Sequence, residues 1–492
     1  MMARESTPFT DQALAAAAAF LAGKTTRSNI STGPSLQVYP DSFFGSGRGA
    51  LFLARTPEGK RLITVDADPP FQGSLERVEG HTLGVHPLSA ENAAHLRASL
   101  PHTRPAKLPK GLPSFGCGDR LGLANPGHLR TLKQYRVAPI LAQQSIRELN
   151  LTGRTFTQVI DAATWAVLQE GYRDGFGADG DHLKSLEEVK LAVESGVSMI
   201  TLDLSLVLGS PGAEPCPSEL QDLAGRTLSY HGECMTLDPA GIDGFWRTYR
   251  AALAFVMAAE AVCRAKHGAG CYDLEISVDE TPHTTLAVDH LLLALECRRR
   301  GIDVFSMAPR FPGEFQKGID YRGDLREFEA AFAVHAAIAA EFGYKISVHS
   351  GSDKFAVFPI VASLTGGGFH EKTAGTSWLE ACRVAAQRSP DLFRRIYTAA
   401  RGFFPESKKY YHIVTELPDV PSLDGLADKD LPGLLEQEAS RQYLHITYGQ
   451  ILRAPELGPA LMRVLETQEE AYYLALDKHF RRHLDGLGIA RR

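Results

Sequence analysis

Between Ser114 and Ala400, short apolar segments alternate with helical stretches of twelve or more residues. This alternation is typical of strand and helix units on a parallel sheet, and the strand candidates number eight. They fill about 290 residues, close to the roughly 250 that a closed barrel of eight such units commonly takes. The sequence therefore predicts an α/β fold with a TIM (β/α)8 barrel. An open, doubly wound sheet is the alternative, but no Gly-x-Gly-x-x-Gly pattern follows the first strand.

Each strand candidate is a short apolar run that ends in polar residues. The eight runs begin at Ser114, Val137, Phe176, Ser198, Tyr272, Asp303, Lys345 and Gly368. Helices are expected at residues 157–170, 185–193, 242–263, 285–299, 325–342, 355–364 and 378–386.

The segments on either side of the barrel differ from it in pattern. Residues 1–112 mix β-like runs with Gly and Pro turns, which predicts an N-terminal α/β region that ends in a Lys- and Pro-rich connector. Residues 113–400 form the predicted barrel, and residues 401–492 form a C-terminal helical extension with helices at 431–443 and 459–484. The Ala-rich tract at 13–23 is too short to cross a bilayer, and acidic residues precede it, so we expect an amphipathic helix rather than a signal peptide.

Composition narrows the class of protein. Hydrophobic residues make up 44% and charged residues 22% of the chain, which is ordinary for a globular protein. Lys and Arg (52) against Asp and Glu (58) give a net charge of -6, which argues against a nucleic-acid-binding protein. The seven cysteines are scattered without metal-binding spacing, as expected for reduced thiols in a cytoplasmic protein. We expect a small-molecule substrate and no membrane partner, and the oligomeric state stays open.

Active sites of TIM barrels lie where the strands end, and the run at Phe176 ends in a polar cluster. Asp181, His182 and Lys184 offer a base, a metal ligand and a cation within one short loop. Ser185 and Glu188 then form a predicted capping box that begins a helix. A solvated loop before a helix is the alternative interpretation.

The strand candidate at Tyr272 ends in a second acidic cluster. Glu275 lies within the strand, where a carboxylate is costly unless it is paired, and strand alternation favours a position inside the barrel. Asp279, Glu280 and His283 follow at the strand end. Asp279 or His283 could instead be merely a helix cap. We favour Glu280 as the functional acid because it lies where barrel enzymes place their catalytic acids.

Two further strand ends carry histidines. His349 is the first polar residue after its apolar run, and the following turn (Ser350, Ser352 and Lys354) could bind an anion at a helix N-terminus. His370 follows three glycines, and a single loop histidine is more often not a ligand. At one end of a barrel, however, His182, His349 and His370 could together hold a divalent transition metal. His335 is expected to pack within a helix, and His445, His479 and His483 belong to the C-terminal helices.

Several long segments resemble the tagaturonate epimerase family. They are SFGCGDRLGLANPGHLR (114–130), ILAQQSIRELN (140–150), FGADGDHLKS (176–185), EISVDETPHTT (275–285), APRFPGEFQKGIDY (308–321) and KISVHSGSDKFAVFPIV (345–361). The resemblance implies a divalent-metal-dependent TIM barrel that interconverts D-tagaturonate and D-fructuronate. Members of this group or close to it also act on fructose and tagatose.

The resemblance also implies residue roles. Asp181 would be the proton acceptor and Glu280 the proton donor, with Asp279 as the alternative donor. His182, His349 and His370 would be the metal ligands; Zn, Mn, Ni and Co are not distinguished, and no organic cofactor is needed. The substrate carboxylate would pair with the Ser350, Ser352 and Lys354 turn, with Lys184 or with Arg310.

The chemistry of this reaction favours a retro-aldol route. The two sugars differ at carbon four, whose hydrogen is β to the carbonyl and is therefore not acidified by it. Removal of the carbon-four hydroxyl proton would instead break the bond between carbons three and four, and a Lewis-acid metal would stabilise the enediolate that develops. A metal-dependent aldolase or aldose-ketose isomerase is the main alternative. A non-catalytic sugar-acid sensor is less favoured, because it would not need a metal site beside acid and base groups.

Overall fold

The computed structural model describes residues 8–23, 35–46, 49–67, 71–212 and 214–492. Two compact units divide the chain. The first consists of residues up to Pro105 together with Ile160–Gly175, and the second consists of Ala106–Val159 together with Phe176–Arg492. Glu5, which precedes the Ala-rich tract, lies outside the described residues.

The first unit is an antiparallel sheet between helices. Its strands are β1 (Gln37–Val38), β2 (Phe44–Ser46), β3 (Gly49–Thr56), β4 (Gly59–Val65), β5 (Ser74–Val78) and β6 (His81–Pro87), in the order β1-β3-β4-β6-β5 with β2 on β3. Helix α1 (Pro8–Leu21) packs on Phe52 and Ile63, and helix α2 (Ala90–Ser99) packs with Leu53. Because side chains alternate along a strand, the two helices cover opposite faces. The amphipathic helix expected in the Ala-rich tract is thus confirmed.

The second unit contains a closed barrel of eight parallel strands, which confirms the predicted TIM barrel. Its strands are β7 (Ser114–Cys117), β8 (Ala138–Ser145), β9 (Gly177–Leu183), β10 (Met199–Asp203), β13 (Asp273–Ser277), β14 (Ser306–Ala308), β15 (Lys345–Val348) and β16 (Phe369–Thr373), while β11 (Thr227–Tyr230) and β12 (Glu233–Thr236) form a separate hairpin. Every strand candidate therefore contributes one strand to the barrel.

Ten helices, including one of a single turn, follow or connect the barrel strands in the described chain. They are α3 (Asn125–Leu132), α4 (Ile146–Thr152), α5 (Phe156–Gln169), α6 (Leu186–Ser195), α7 (Ser218–Gln221), α8 (Pro239–His267), α9 (Ala287–Arg299), α10 (Leu325–Phe342), α11 (Phe358–Thr365) and α12 (Thr376–Arg388). Most boundaries differ from the sequence prediction by a few residues, and two of the differences affect the site. Strand β9 extends to Leu183, so that Asp181 and His182 lie in the strand, and α11 begins at Phe358 rather than at Phe355.

The C-terminal region is helical, as predicted, and consists of α13 (Pro390–Lys408), α14 (Glu438–Arg453), α15 (Leu457–Thr467) and α16 (Glu469–Gly486). The predicted helix at 431–443 is wrong in its first part: Asp428–Glu436 is a 3-10 helix, because Pro432 cannot supply a backbone hydrogen-bond donor. Side chains of α12 to α16, among them Trp378 and Tyr443, share one buried apolar core. No helix in the described chain is both long and apolar enough to cross a bilayer.

Candidate active site

A cavity of about 310 Å³ opens at the carboxyl ends of the barrel strands. Three parts of the chain line it: the strand ends, the loop from Pro309 to Lys317 after β14, and the segment Tyr410–His412 of the C-terminal region. In TIM-barrel enzymes, the active site lies at this end of the barrel. The cavity is therefore the candidate active site.

Lys372 of β16 is the centre of a buried charge cluster at the floor of the cavity. Its Nζ lies 2.8 Å from Asp179 Oδ2, 2.7 Å from Asp181 Oδ1 and 2.7 Å from Glu275 Oε1. All four side chains are at least nine-tenths buried. The position of Glu275 inside the barrel agrees with the alternation in the sequence. One ammonium group thus faces three carboxylates, and buried carboxylates need further positive charge.

The carboxyl groups of this cluster differ in protonation. Burial opposes ionisation of Asp181, but Lys372, His182 and His349 outweigh it and lower the pKa of Asp181 to about 2. Burial, together with repulsion from Asp181 and Glu275, raises the pKa of Asp179 to about 6 despite the Lys372 charge. Asp181 is therefore a carboxylate at neutral pH and can accept a proton.

His349 follows β15 and contacts two carboxylates. Its Nε2 lies 2.7 Å from Glu275 Oε1, which orients the ring. Its Nδ1 is buried and makes no hydrogen bond of acceptable geometry to any described residue, although it lies 3.1 Å from Asp279 Oδ1. A histidine that is held through one nitrogen by a carboxylate and has the other nitrogen free is the usual arrangement of a metal ligand.

His182 lies beside His349, with the ring centroids 4.9 Å apart. Its Nδ1 lies 3.1 Å from Asp203 Oδ2 and 4.0 Å from Asp279 Oδ1. The backbone of His182 has a φ of 53°, a left-handed conformation that is uncommon for a residue other than glycine. Ser350, which also lines the cavity, has the same φ.

His182, Asp279 and His349 form a group that fits a metal ion. Each offers one ligand atom, and these atoms lie within 4.8 Å of one another. Two imidazoles and one carboxylate are a donor set typical of divalent transition metals with open coordination positions. The buried Nδ1 of His349, which makes no hydrogen bond and lies 3.1 Å from Asp279 Oδ1, supports the same fit.

Two other groups of possible ligands are already satisfied. Lys184 Nζ lies 2.7 Å from Glu280 Oε2 and 3.2 Å from Asp203 Oδ2, so a cation already lies between these acids. In the group of Asp353, His479 and His483, the Nε2 of His483 accepts the Asp353 backbone N–H at 2.9 Å. Its lone pair is therefore not available to a metal.

The structure does not bring His370 into the metal-ligand group. His370 pairs in register with Ser114 at the beginning of β16, and its Nδ1 lies 3.1 Å from Ser114 Oγ inside the barrel. Lys372, two residues further along the same strand face, lines the cavity instead. His370 lies within the strand run predicted from Gly368, as the structure has it, but it was treated there as a loop histidine at the end of the barrel.

Glu280, Arg310 and Ser350 line the cavity, whereas Ser352 and Lys354 do not. Lys354 is fully buried, and its Nζ donates hydrogen bonds to the backbone carbonyls of Gln316, Ile319 and Ser352. Ser352 Oγ accepts the N–H of Ala374. Because α11 begins only at Phe358, the turn presents no helix N-terminus to an anion.

The loop that follows β9 is ordered by its own side chains. Ser185 Oγ accepts the N–H of Glu188, as predicted for the helix start, whereas the Glu188 carboxylate accepts the N–H of Lys184 at 2.6 Å. The full reciprocal capping box is therefore not formed. His283, the remaining sequence candidate, is exposed and lies outside the cavity lining.

Several residues that line the cavity were missed by the sequence interpretation, namely Gln143, Arg147, Glu148, Lys317, Lys372 and Tyr411. Lys372 could have been found, because strand alternation places it on the same face as His370 and nearer the strand end. Tyr411 carries no such signal, since it follows a helix that lies far from the barrel strands in the sequence.

Comparisons with known proteins agree with this geometry. The sequence profile of the tagaturonate epimerase family matches residues 39–487. A tagaturonate/fructuronate epimerase of Thermotoga maritima is 41% identical over 471 residues, which cover 92% of this chain and 97% of that protein. The glycerol-complexed crystal structure of the fructuronate-tagaturonate epimerase of Cohnella laeviribosi has a TM-score of 0.86 and 39% identity, and covers 96% of this chain and 98% of that one.

The native crystal structure of the Cohnella laeviribosi enzyme has a TM-score of 0.85 and 40% identity, and covers 92% of this chain and 97% of that one. The match therefore extends over nearly the full length of both proteins. This chain is an isomerase, and it belongs to the tagaturonate epimerase family.

Proposed function

We propose that the protein is a metal-dependent epimerase that inverts carbon four in the interconversion of D-tagaturonate and D-fructuronate. The observation that carries this proposal is the group of His182, Asp279 and His349 beside the ionised Asp181 in one cavity. The names of the relatives from Thermotoga maritima and Cohnella laeviribosi supply the substrates.

In this proposal His182, Asp279 and His349 hold a divalent metal, with Asp279 in the place that the sequence interpretation gave to His370. Glu275 and Asp203 accept hydrogen bonds from the two histidine rings and orient them. When bound, the ion supplies Lewis-acid stabilisation of negative charge that develops at the carbonyl end of the substrate.

The acid and base roles then fall to Asp181 and Glu280. Asp181 takes the proton from the carbon-four hydroxyl, and the bond between carbons three and four breaks. This gives the enediolate of dihydroxyacetone and the aldehyde tartronate semialdehyde. The aldehyde rotates, the enediolate attacks its other face, and a proton returns to the carbon-four oxygen.

Glu280 lies at the cavity wall, where it can return this proton. Lys184 holds the Glu280 carboxylate at 2.7 Å, so its position is defined. Because Asp279 belongs to the metal-ligand group in this proposal, the proton-donor role is left to Glu280. Both three-carbon fragments stay in the cavity between the two steps, since their escape would stop the return reaction.

The test is a product assay by NMR on D-fructuronate that carries deuterium at carbon four. We expect the product D-tagaturonate to retain the deuterium after many turnovers in ordinary water. We also expect a chelator to abolish the activity and a divalent metal to restore it. No interconversion by metal-loaded protein would refute the epimerase. Washout of deuterium at the rate of epimerisation would refute the retro-aldol route, and full activity after complete metal removal would refute metal dependence.

A further inference from the structure

The cavity lining carries charges of both signs. Besides the acids, imidazoles, Lys372 and Arg310 already described, it includes two further cationic side chains, Arg147 and Lys317. Arg147 lies in the first turn of α4, and Lys317 lies in the loop after β14. These two cations are the ones whose partners decide what anion the cavity can bind.

Glu148, which follows Arg147 in the sequence and also lines the cavity, is already neutralised. Its Oε1 accepts hydrogen bonds from Arg120 Nε at 3.1 Å and Arg120 Nη2 at 2.7 Å. Its Oε2 accepts the backbone N–H of Ser145. Arg120 and Glu148 are both buried, and the Arg120 guanidinium also stacks on Tyr448 with 3.8 Å to the ring centroid. Glu148 is thus not available to pair with Arg147 or Lys317.

Arg147 makes one ion pair among the described residues, and that pair is long. The partner, Glu280, lies 3.8 Å from Arg147 Nη2 and is already bound by Lys184 at 2.7 Å. Arg147 Nε is buried and makes no hydrogen bond within the described chain. The guanidinium lies over the ring of Tyr411, 5.1 Å from its centroid, which holds the side chain in place.

Lys317 is in a similar situation. Its Nζ donates a hydrogen bond to Ser350 Oγ at 2.7 Å, and no acid of the described chain lies within ion-pair distance. Burial and repulsion from Arg147 lower the pKa of Lys317. Glu314 also lines the cavity, but its carboxylate is half exposed and is bound by the side chain of Gln316. An unpaired ammonium group at such a wall is stabilised by an anion.

We propose that Arg147 and Lys317 bind the carboxylate of the ketohexuronate. The three cations considered from the sequence are otherwise engaged: Lys184 with Glu280, Lys354 with backbone carbonyls, and Arg310 with the backbone carbonyl of Asp279 at 3.1 Å. The inference rests on the proposed function and adds the orientation of the substrate to it. The carboxylate lies between Arg147 and Lys317, and the carbonyl end lies at His182 and His349.

This orientation gives the site a preference for uronates over neutral ketohexoses. In D-fructose a hydroxymethyl group replaces the carboxylate, so Arg147 and Lys317 keep their charges uncompensated when it binds. A hydrogen bond to a charged group is worth more than one between neutral groups. The two cations therefore select the sugar acid, while the metal-ligand group contacts a part that both sugars share.

The experiment compares Arg147→Met and Lys317→Met with the native protein in the metal-loaded form. We expect the KM for D-fructuronate to rise about ten- to hundredfold in each variant. The inhibition constant of D-fructose, used as a neutral competitor, should change less than about twofold, because that ligand makes no carboxylate contact. Lys190→Met, which removes an exposed lysine on α6, is the matched control and should leave both constants unchanged.

Two results would overturn the carboxylate site. One is an unchanged KM for D-fructuronate in both variants, and the other is an equal rise in the KM and in the inhibition constant of D-fructose, which would indicate a general distortion of the cavity. Arg147→Lys and Lys317→Arg, which keep the charge, should recover part of the affinity. Failure of the proposed function is a separate result, since it would appear as native protein that does not interconvert the hexuronates.

Discussion

At the level of single residues, the carboxylates of the cavity floor are compensated by Lys372 and by two histidines. Lys372 faces Asp179, Asp181 and Glu275, and His349 lies beside Glu275 and Asp279. Burial opposes protonation of His349, but Asp279 and Glu275 outweigh it and raise the pKa of His349 to about 10. A bound divalent cation would take the place of the histidine protons as the positive charge beside these carboxylates, which is a physical reason for a metal at this position.

The choice of the third metal ligand leads to a test by substitution. We expect Asp279→Asn and His349→Ala to lose bound metal, because two ligands hold a labile divalent ion much less tightly than three. His370→Gln, which keeps a hydrogen-bonding group beside Ser114, should retain the metal. Metal content is measured by mass spectrometry, with thermal melting as the control for folding. Loss of metal in His370→Gln together with full occupancy in Asp279→Asn would favour the three histidines instead.

At the level of elements, the strand candidates could be found from the sequence because buried parallel strands are short apolar runs between turns. What could not be found was where some elements end. Polar residues that continue β9 point into the charged interior of the barrel, and Lys372 pairs them, which hydrophobic patterning cannot show. The predicted strand from Gly368 contains His370, but the sequence does not show that this residue pairs with Ser114 at the beginning of the strand and lies outside the cavity lining.

Helices α9 and α10 are joined by a buried chain of hydrogen bonds. His335 Nε2 lies 3.2 Å from the carbonyl of Thr285, which can only accept, so this nitrogen carries the proton. His335 Nδ1 then accepts from His290 Nδ1 at 2.8 Å, and His290 Nε2 accepts from the Tyr344 hydroxyl at 2.6 Å. Each imidazole therefore holds a single proton, and both rings are neutral.

This series of hydrogen bonds predicts that the packing of α9 against α10 is lost in acid. Burial lowers the pKa of His335 to about 4 and that of His290 well below its ordinary value. In the unfolded chain these histidines bind protons near pH 6.5, whereas in the folded chain they do not. The free energy of unfolding is therefore highest above pH 6.5 and falls as the pH decreases toward 4. Protonation of His335 in the unfolded chain should by itself lower the free energy of unfolding by about 2 kcal/mol at pH 5 relative to pH 7.5. Denaturant unfolding at pH 7.5 and pH 5 measures this loss, and an equal loss in the double variant His290→Leu, His335→Leu would contradict the assignment.

At the level of the whole barrel unit, the C-terminal region completes the active site. Tyr410–His412 form part of the cavity wall, and α14 contributes Arg441, which contacts two of the loops that line it. Arg441 Nε donates to the carbonyl of Gly318 at 2.7 Å, and its Nη2 lies 2.6 Å from Asp353 Oδ2. The sequence indicated helices here but not this role, since the contacts join residues about 90 to 120 positions apart.

Arg441 therefore links the loop that carries Lys317 to the loop that carries Ser350. We expect Arg441→Met to destabilise the protein by about 3–5 kcal/mol, because it leaves the buried Asp353 carboxylate without its ion-pair partner. We also expect a lower kcat/KM for D-fructuronate, since both loops lose a common anchor.

The double variant Asp353→Asn, Arg441→Met should lose less stability than the sum of the single changes, because no uncompensated charge remains. Arg395→Met, which removes an exposed ion pair with Glu456 on the same unit, is the matched control and should cost only about 0–1 kcal/mol. Denaturant unfolding and steady-state kinetics measure both effects, and an Arg441→Met protein as stable and active as the Arg395→Met control would show that the C-terminal helices do not hold these loops in place.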